Sequence, residues 1–182
     1  MMAYLKADDI SSEQRDSFTT HLALYNLEIQ SIIGTNRVHK KKKKTMCGAI
    51  SYEDNGELVN VYFPNPRATL PVLTKQGQWV MLPWGRRKTQ TGNLPMGGWA
   101  RLESIHQGRW NQYFAKPIKL VASAFMEKDI EGVSHWYPVI QGQYLQGLLA
   151  RYDNERRVYV VTITPKRADA LHERWPRIIM AG

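Results

Sequence analysis

One cysteine in 182 residues, Cys47, leaves this chain unable to close an internal disulfide. Long apolar runs are missing as well: none approaches the ~18 residues that span a bilayer. The opening MMAYLKADDI has no basic stretch leading into an apolar one, so no secretory leader is expected. These absences imply a reducing, cytoplasmic compartment. The phosphate-cradling patterns G-x-x-x-x-G-K-S/T and G-x-G-x-x-G do not occur, which removes the usual sequence support for nucleotide binding. The five histidines, His21, His39, His106, His135 and His172, are not spaced as metal ligands, and one cysteine cannot build a zinc site. Neither a metal nor another cofactor is expected.

Hydrophobic residues make up 43% of the chain and charged residues 23%, the balance of a soluble globular protein. At this length one domain with a sizeable core is expected, with room for an appendage. The formal net charge of +9 favours an anionic partner such as nucleic acid. Five of the 25 Lys and Arg form the run Lys40 to Lys44, and without them 20 basic residues face 16 acidic ones, a balance of only +4. Such a run is ordinarily a solvated linker.

The first segment reads as a helix over about 11–33. Ser11 and Gln14 fit a capping box, and Phe18, Leu22, Tyr25, Ile29 and Ile32 recur along one face up to Gly34. A polar, basic linker follows at 35–45, and the composition changes near Thr45. From there short strands dominate. Ala49 to Tyr52 and Leu58 to Phe63 flank Asp54-Asn55-Gly56, a hairpin signal. Further strands are expected at Gln78 to Leu82, Ile118 to Ala124, Trp136 to Ile140, Tyr144 to Ala150 and Val158 to Thr164. Helices are expected from Leu102 to Phe114 and from Thr164-Pro165 to Glu173. The pattern predicts an α+β domain on a curved, mostly antiparallel sheet or open barrel, with an extra N-terminal helix.

The lone cysteine lies in Met46-Cys47-Gly48. A lone intracellular cysteine is more often a small buried hydrophobe than a nucleophile, and sequence separation from acids and histidines does not decide between them. Four further pieces follow in order: Trp84-Gly85, Ala100-Arg101-x-Glu103, Phe125-Met126-Glu127, and His172-Glu173-Arg174-Trp175-Pro176. Together they resemble the SOS-response-associated peptidase (SRAP) family, which shields abasic sites in single-stranded DNA. The likeness covers roughly residues 46–180. It implies a SRAP-like domain over 46–182 that stops short of the family's usual C-terminal extent, behind an extension at 1–45.

The resemblance also implies a chemistry. An N-terminal cysteine carries an α-amine, with a pKa near 7.7–8.0, that condenses with the aldehyde of an opened abasic sugar, and its thiol then closes a thiazolidine. Cys47 would supply both groups, Glu127 would handle protons on the sugar, and His172 would promote ring opening. Arg101 would hold a phosphate. Trp84, with Arg86, Arg87 and Lys88, would form a stacking platform beside phosphate contacts. A monomer bound to single-stranded DNA, nucleoid-associated when bound, is the expectation. Ala49 and Trp99 depart from the family's pattern, which has Arg and Asn there. The extension ties the Cys47 amine in a peptide bond, so translation begins at Met46, or processing frees Cys47, or the chain has lost the crosslinking chemistry. A non-catalytic nucleic-acid-binding module and a self-processing thiol peptidase are the alternatives.

Overall fold

In the computed structural model of the chain, which describes residues 48–129, 131–164 and 174–181, Asn55 and Gly56 take positive φ of 51° and 82°. Two left-handed positions give a turn whose twist matches paired strands, and β1 (Ala49–Asp54) and β2 (Glu57–Tyr62) pair antiparallel across it. The chain continues through β3 (Thr69–Leu73), β4 (Trp79–Pro83), β5 (Trp99–Arg101) and helix α1 (Leu102–His106). Then come β6 (Lys116–Leu120), β7 (Ala124–Lys128), β8 (Ser134–Pro138), β9 (Gln143–Tyr152) and β10 (Glu155–Ile163). Two short strands close the described chain, β11 (Trp175–Pro176) and β12 (Ile178–Met180).

These strands form two open sheets. One has the order β2-β1-β7-β8; the other runs β11-β10-β9-β6-β3-β4, with β5 on β10 and β12 on β9. The larger sheet curls until Trp84, just past β4, bridges Val158 of β10. Strand alternation explains the two cores. Val158 and Val160 face inward with Leu70, Leu120 and Leu145 to meet Ile50 and Phe125 of the smaller sheet. Tyr159 and Val161 face the other way, where Leu94, Leu102, Ile105 and Trp110 cover them. At the C-terminal end β9 and β10 part, and the final segment fills the gap. The Arg177 N–H donates to the Val161 carbonyl at 2.8 Å, and the Gln146 N–H donates to the Arg177 carbonyl at 2.7 Å.

The expected curved, mostly antiparallel sheet is present, but the described residues are mostly strand with one short α-helix, so the helical part of the expected α+β domain is small among them. The helix expected from Leu102 to Phe114 is shorter. Gly108 at φ 72° ends the helical run, and only a 3-10 turn at Asn111–Tyr113 follows, closed by Phe114 at φ 46°. The strand expected from Ile118 to Ala124 is two strands in different sheets, separated at 121–123. β3, β5, β11 and β12 were not anticipated. The helices expected over 11–33 and over 165–173, and the basic linker, lie outside the described residues. Among the described residues no helix is long and apolar enough to cross a membrane.

Candidate functional site

Gly48, the residue bonded to Cys47, leads into β1. Its carbonyl accepts the Phe63 N–H at 2.9 Å, which extends the β1–β2 pairing by one step. Position 48 has no space for a side chain, because a Cβ there would meet Cζ2 of Trp99 at 1.9 Å. Trp99 itself packs edge-on against Phe63 and Trp84, with ring centroids 4.6 and 5.5 Å away. An aromatic cluster therefore backs the backbone that continues from Cys47.

Glu127 stands on the strand next to that backbone. β1 and β7 pair with Ala49 opposite Met126 and Ile50 opposite Phe125, so the same register continued one residue sets Gly48 beside Glu127. Two residues earlier on the same face, Phe125 is a core residue. Glu127 is only half-buried, yet burial pushes its carboxyl up to about 7. A carboxyl poised near neutrality can take or give a proton at the pH of the cell.

Arg101 belongs to a second cluster. β5 runs parallel to β10 with Arg101 opposite Thr162, and the Ser104 hydroxyl donates to the Arg101 carbonyl at 2.7 Å, fixing the start of α1. Thr162 is 2% exposed, and its buried hydroxyl oxygen has no hydrogen-bond partner among the described residues. Buried polar atoms are nearly always paired, and among the described residues only this hydroxyl and Arg87 Nη2 are buried side-chain atoms without a partner. Arg101, Glu103, Thr162, Ile163, Thr164 and Arg174 line a cavity of about 260 Å³ there. The lining carries two guanidinium groups and one carboxylate, Glu103, a net positive balance that suits an oxyanion.

The other expected contacts are arranged differently. Trp84 is 0% exposed, and its indole N–H donates to the Gly98 carbonyl at 2.9 Å. It is a core residue and offers no face for a base to stack on; Trp99, partly buried, is the tryptophan next to Gly48. Arg86 donates to the Leu94 carbonyl at 2.6 Å and the Gln90 carbonyl at 3.0 Å. Arg87 is 8% exposed and donates to the carbonyls of Phe63 and Trp84. Both arginines serve carbonyls that lie outside the named strands, Arg86 within the segment after β4 and Arg87 there and in the β2–β3 connection. Lys88 is exposed. Cys47 and His172 lie outside the described residues.

Thr162, Glu103 and Arg174 escaped the sequence reading of the site. Arg174 and Glu103 stood in quoted motifs without a role. Thr162 had a signal, a lone polar residue in phase with the inward-facing Val158 and Val160. No protein-family model matches the chain, and no similar protein is found among curated proteins or solved structures.

Proposed function

We propose that the domain from Met46 onward is SRAP-like: it binds single-stranded DNA and, once Cys47 is N-terminal, links covalently to abasic sites. The observation that carries this reading is Glu127, a carboxyl raised to about 7 by burial, in register with the backbone one residue from Cys47. One peptide unit, about 3.8 Å between Cα atoms, ties Cys47 to Gly48. The amine nitrogen attacks the sugar aldehyde and water leaves as the imine forms. The thiol then adds to the imine carbon, its proton passes to the nitrogen, and the five-membered ring closes. Glu127 is suited to deliver the proton that the departing oxygen needs and to recover it afterwards. In this reading Arg101, in the cavity it lines with Thr162 and Glu103, holds a phosphate of the bound strand.

A second reading, a binding module without the chemistry, is favoured by Trp99. Its indole lies where the family's pattern has Asn, and an indole N–H cannot accept a hydrogen bond as an amide oxygen does.

Two measurements test the proposal. Intact-mass spectrometry of the purified protein reports whether the chain begins at Cys47. A chain started at Met46 and trimmed to Cys47 should form a heat-stable adduct with single-stranded DNA bearing an abasic site, and Cys47→Ala should abolish it. A trimmed protein that binds undamaged strands yet yields no adduct overturns the crosslinking reading in favour of the binding module.

A further inference from the structure

We propose that Arg87 is a positioning residue for the backbone that carries Cys47, acting through Phe63, and not a phosphate contact. The inference rests on the reading of Cys47 as the reacting residue. Arg87 reaches Phe63 in two ways. Its Nε–H donates to the Phe63 carbonyl at 2.6 Å, and its guanidinium carbon lies 4.1 Å from the centroid of the Phe63 ring. Nη1 donates to the Trp84 carbonyl at the same time. Only a planar fork can serve two carbonyls and lie over a ring together; a lysine ammonium is a point donor on a flexible stem.

Phe63 passes the constraint on. Its N–H holds the Gly48 carbonyl at 2.9 Å, and its ring supports Trp99, which closes the space over Gly48. The main chain at Arg87 is pinned as well. Its N–H donates to Gln90 Oε1 at 2.8 Å, and Gln90 Nε2 donates to the Pro66 carbonyl at 2.9 Å. Burying a guanidinium is costly, and burial, followed by the nearby Arg157, lowers its pKa to about 10. A surface phosphate contact would not require that burial. A fixed mount for Gly48 gives it a purpose, because a nucleophile held about an ångström off its productive position loses much of its rate.

The test compares Arg87→Lys, Arg87→Met and Phe63→Leu with the parent. In the full chain, hydrogen exchange of the Phe63 amide should quicken about tenfold in the Arg87 variants while amides in β9 and β10 keep their protection. Uniform acceleration across the domain, or none at Phe63, overturns the proposal. Salt titration of single-stranded DNA binding should give parent-like slopes; a slope reduced by about 0.7 identifies a phosphate contact and overturns it too. In the crosslinking-competent protein, Arg87→Lys should lower the rate at saturating DNA about tenfold and leave the half-saturating concentration unchanged, and Phe63→Leu should act in the same direction. An unchanged rate counts against positioning. If the parent itself forms no adduct, the crosslinking reading fails, and the Phe63 amide alone decides whether Arg87 mounts this backbone.

Discussion

Trp99 occupies the space that a side chain at position 48 would fill, with its Cζ2 only 1.9 Å from where a Gly48 Cβ would stand. The glycine after Cys47 is thus explained by packing and needs no unusual backbone angle. Trp99 cannot easily give way, since Phe63 and Trp84 hold it edge-on. The same contact brings an aromatic surface to the neighbourhood of Glu127, on the strand beside Gly48.

Gly48→Ala should therefore destabilise the domain by about 1–3 kcal/mol, the usual cost of overpacking a rigid site. Trp99→Leu in the same chain should recover part of that loss, because the two positions share one volume. Urea unfolding followed by far-ultraviolet circular dichroism measures both. A neutral Gly48→Ala would show that the ring moves aside freely.

Glu127 predicts a pH dependence of definite sign. Its folded carboxyl titrates at about 7, whereas an unfolded Glu titrates at about 4.3, so the folded state binds the proton more tightly. This residue's contribution to stability is complete below about 4.3 and is lost as pH rises toward about 7. Glu127→Gln imitates the protonated form. Its melting temperature should match the parent near pH 4 and exceed it near pH 8, and parallel curves for the two proteins would contradict the burial argument.

Much of the fold was legible because its signals are local. Asn55-Gly56 marked the first hairpin, and the apolar runs ending at Ala150 and starting at Val158 marked β9 and β10. β5 and β11 were hidden for a physical reason. Each has two or three residues and exists only by pairing with β10, a contact remote in sequence. The site was read unevenly on the same ground. Glu127 and Arg101 came from motifs, but whether Trp84, Arg86 and Arg87 face solvent depends on how the segment after β4 folds back on Gly97 and Val158.

That segment is tied to β10 by Glu155. One carboxylate oxygen accepts the Asn93 and Leu94 N–H groups at 3.2 and 3.4 Å, and the other accepts Arg157 Nε–H at 2.5 Å. Burial pushes this carboxyl up, but the bonds from Arg157 and the two amides outweigh it and leave it below the usual range. Its stabilisation is present above the unfolded pKa and fades as pH falls through the folded one, the opposite of Glu127. Glu155→Gln should cost about 1–3 kcal/mol at neutral pH, with the deficit shrinking in acid. Thermal unfolding across the acidic range checks it, and a deficit independent of pH would mean that shape, not charge, matters there.

On the proposed reading the basic residues divide into a structural and a DNA-facing set, and salt dependence separates them. Arg86 holds two loop carbonyls, so Arg86→Ala should lower the melting temperature, with any loss of affinity following from that. Lys88 is exposed and Arg101 lines the cavity; neutralising either should weaken binding to damaged and undamaged single strands alike and reduce the salt slope by about 0.7. Glu127→Gln should instead slow crosslinking with little change in affinity, because the role proposed for it is proton transfer. Replacing Lys40 to Lys44 by glutamine in the full chain should have only a modest effect if the run is a solvated linker. Titrations at several salt concentrations on all these variants decide the partition. If the five-lysine variant loses most of its binding while Arg101→Ala binds like the parent, the DNA is held by the extension, and the cavity beside Thr162 does not bind its phosphate.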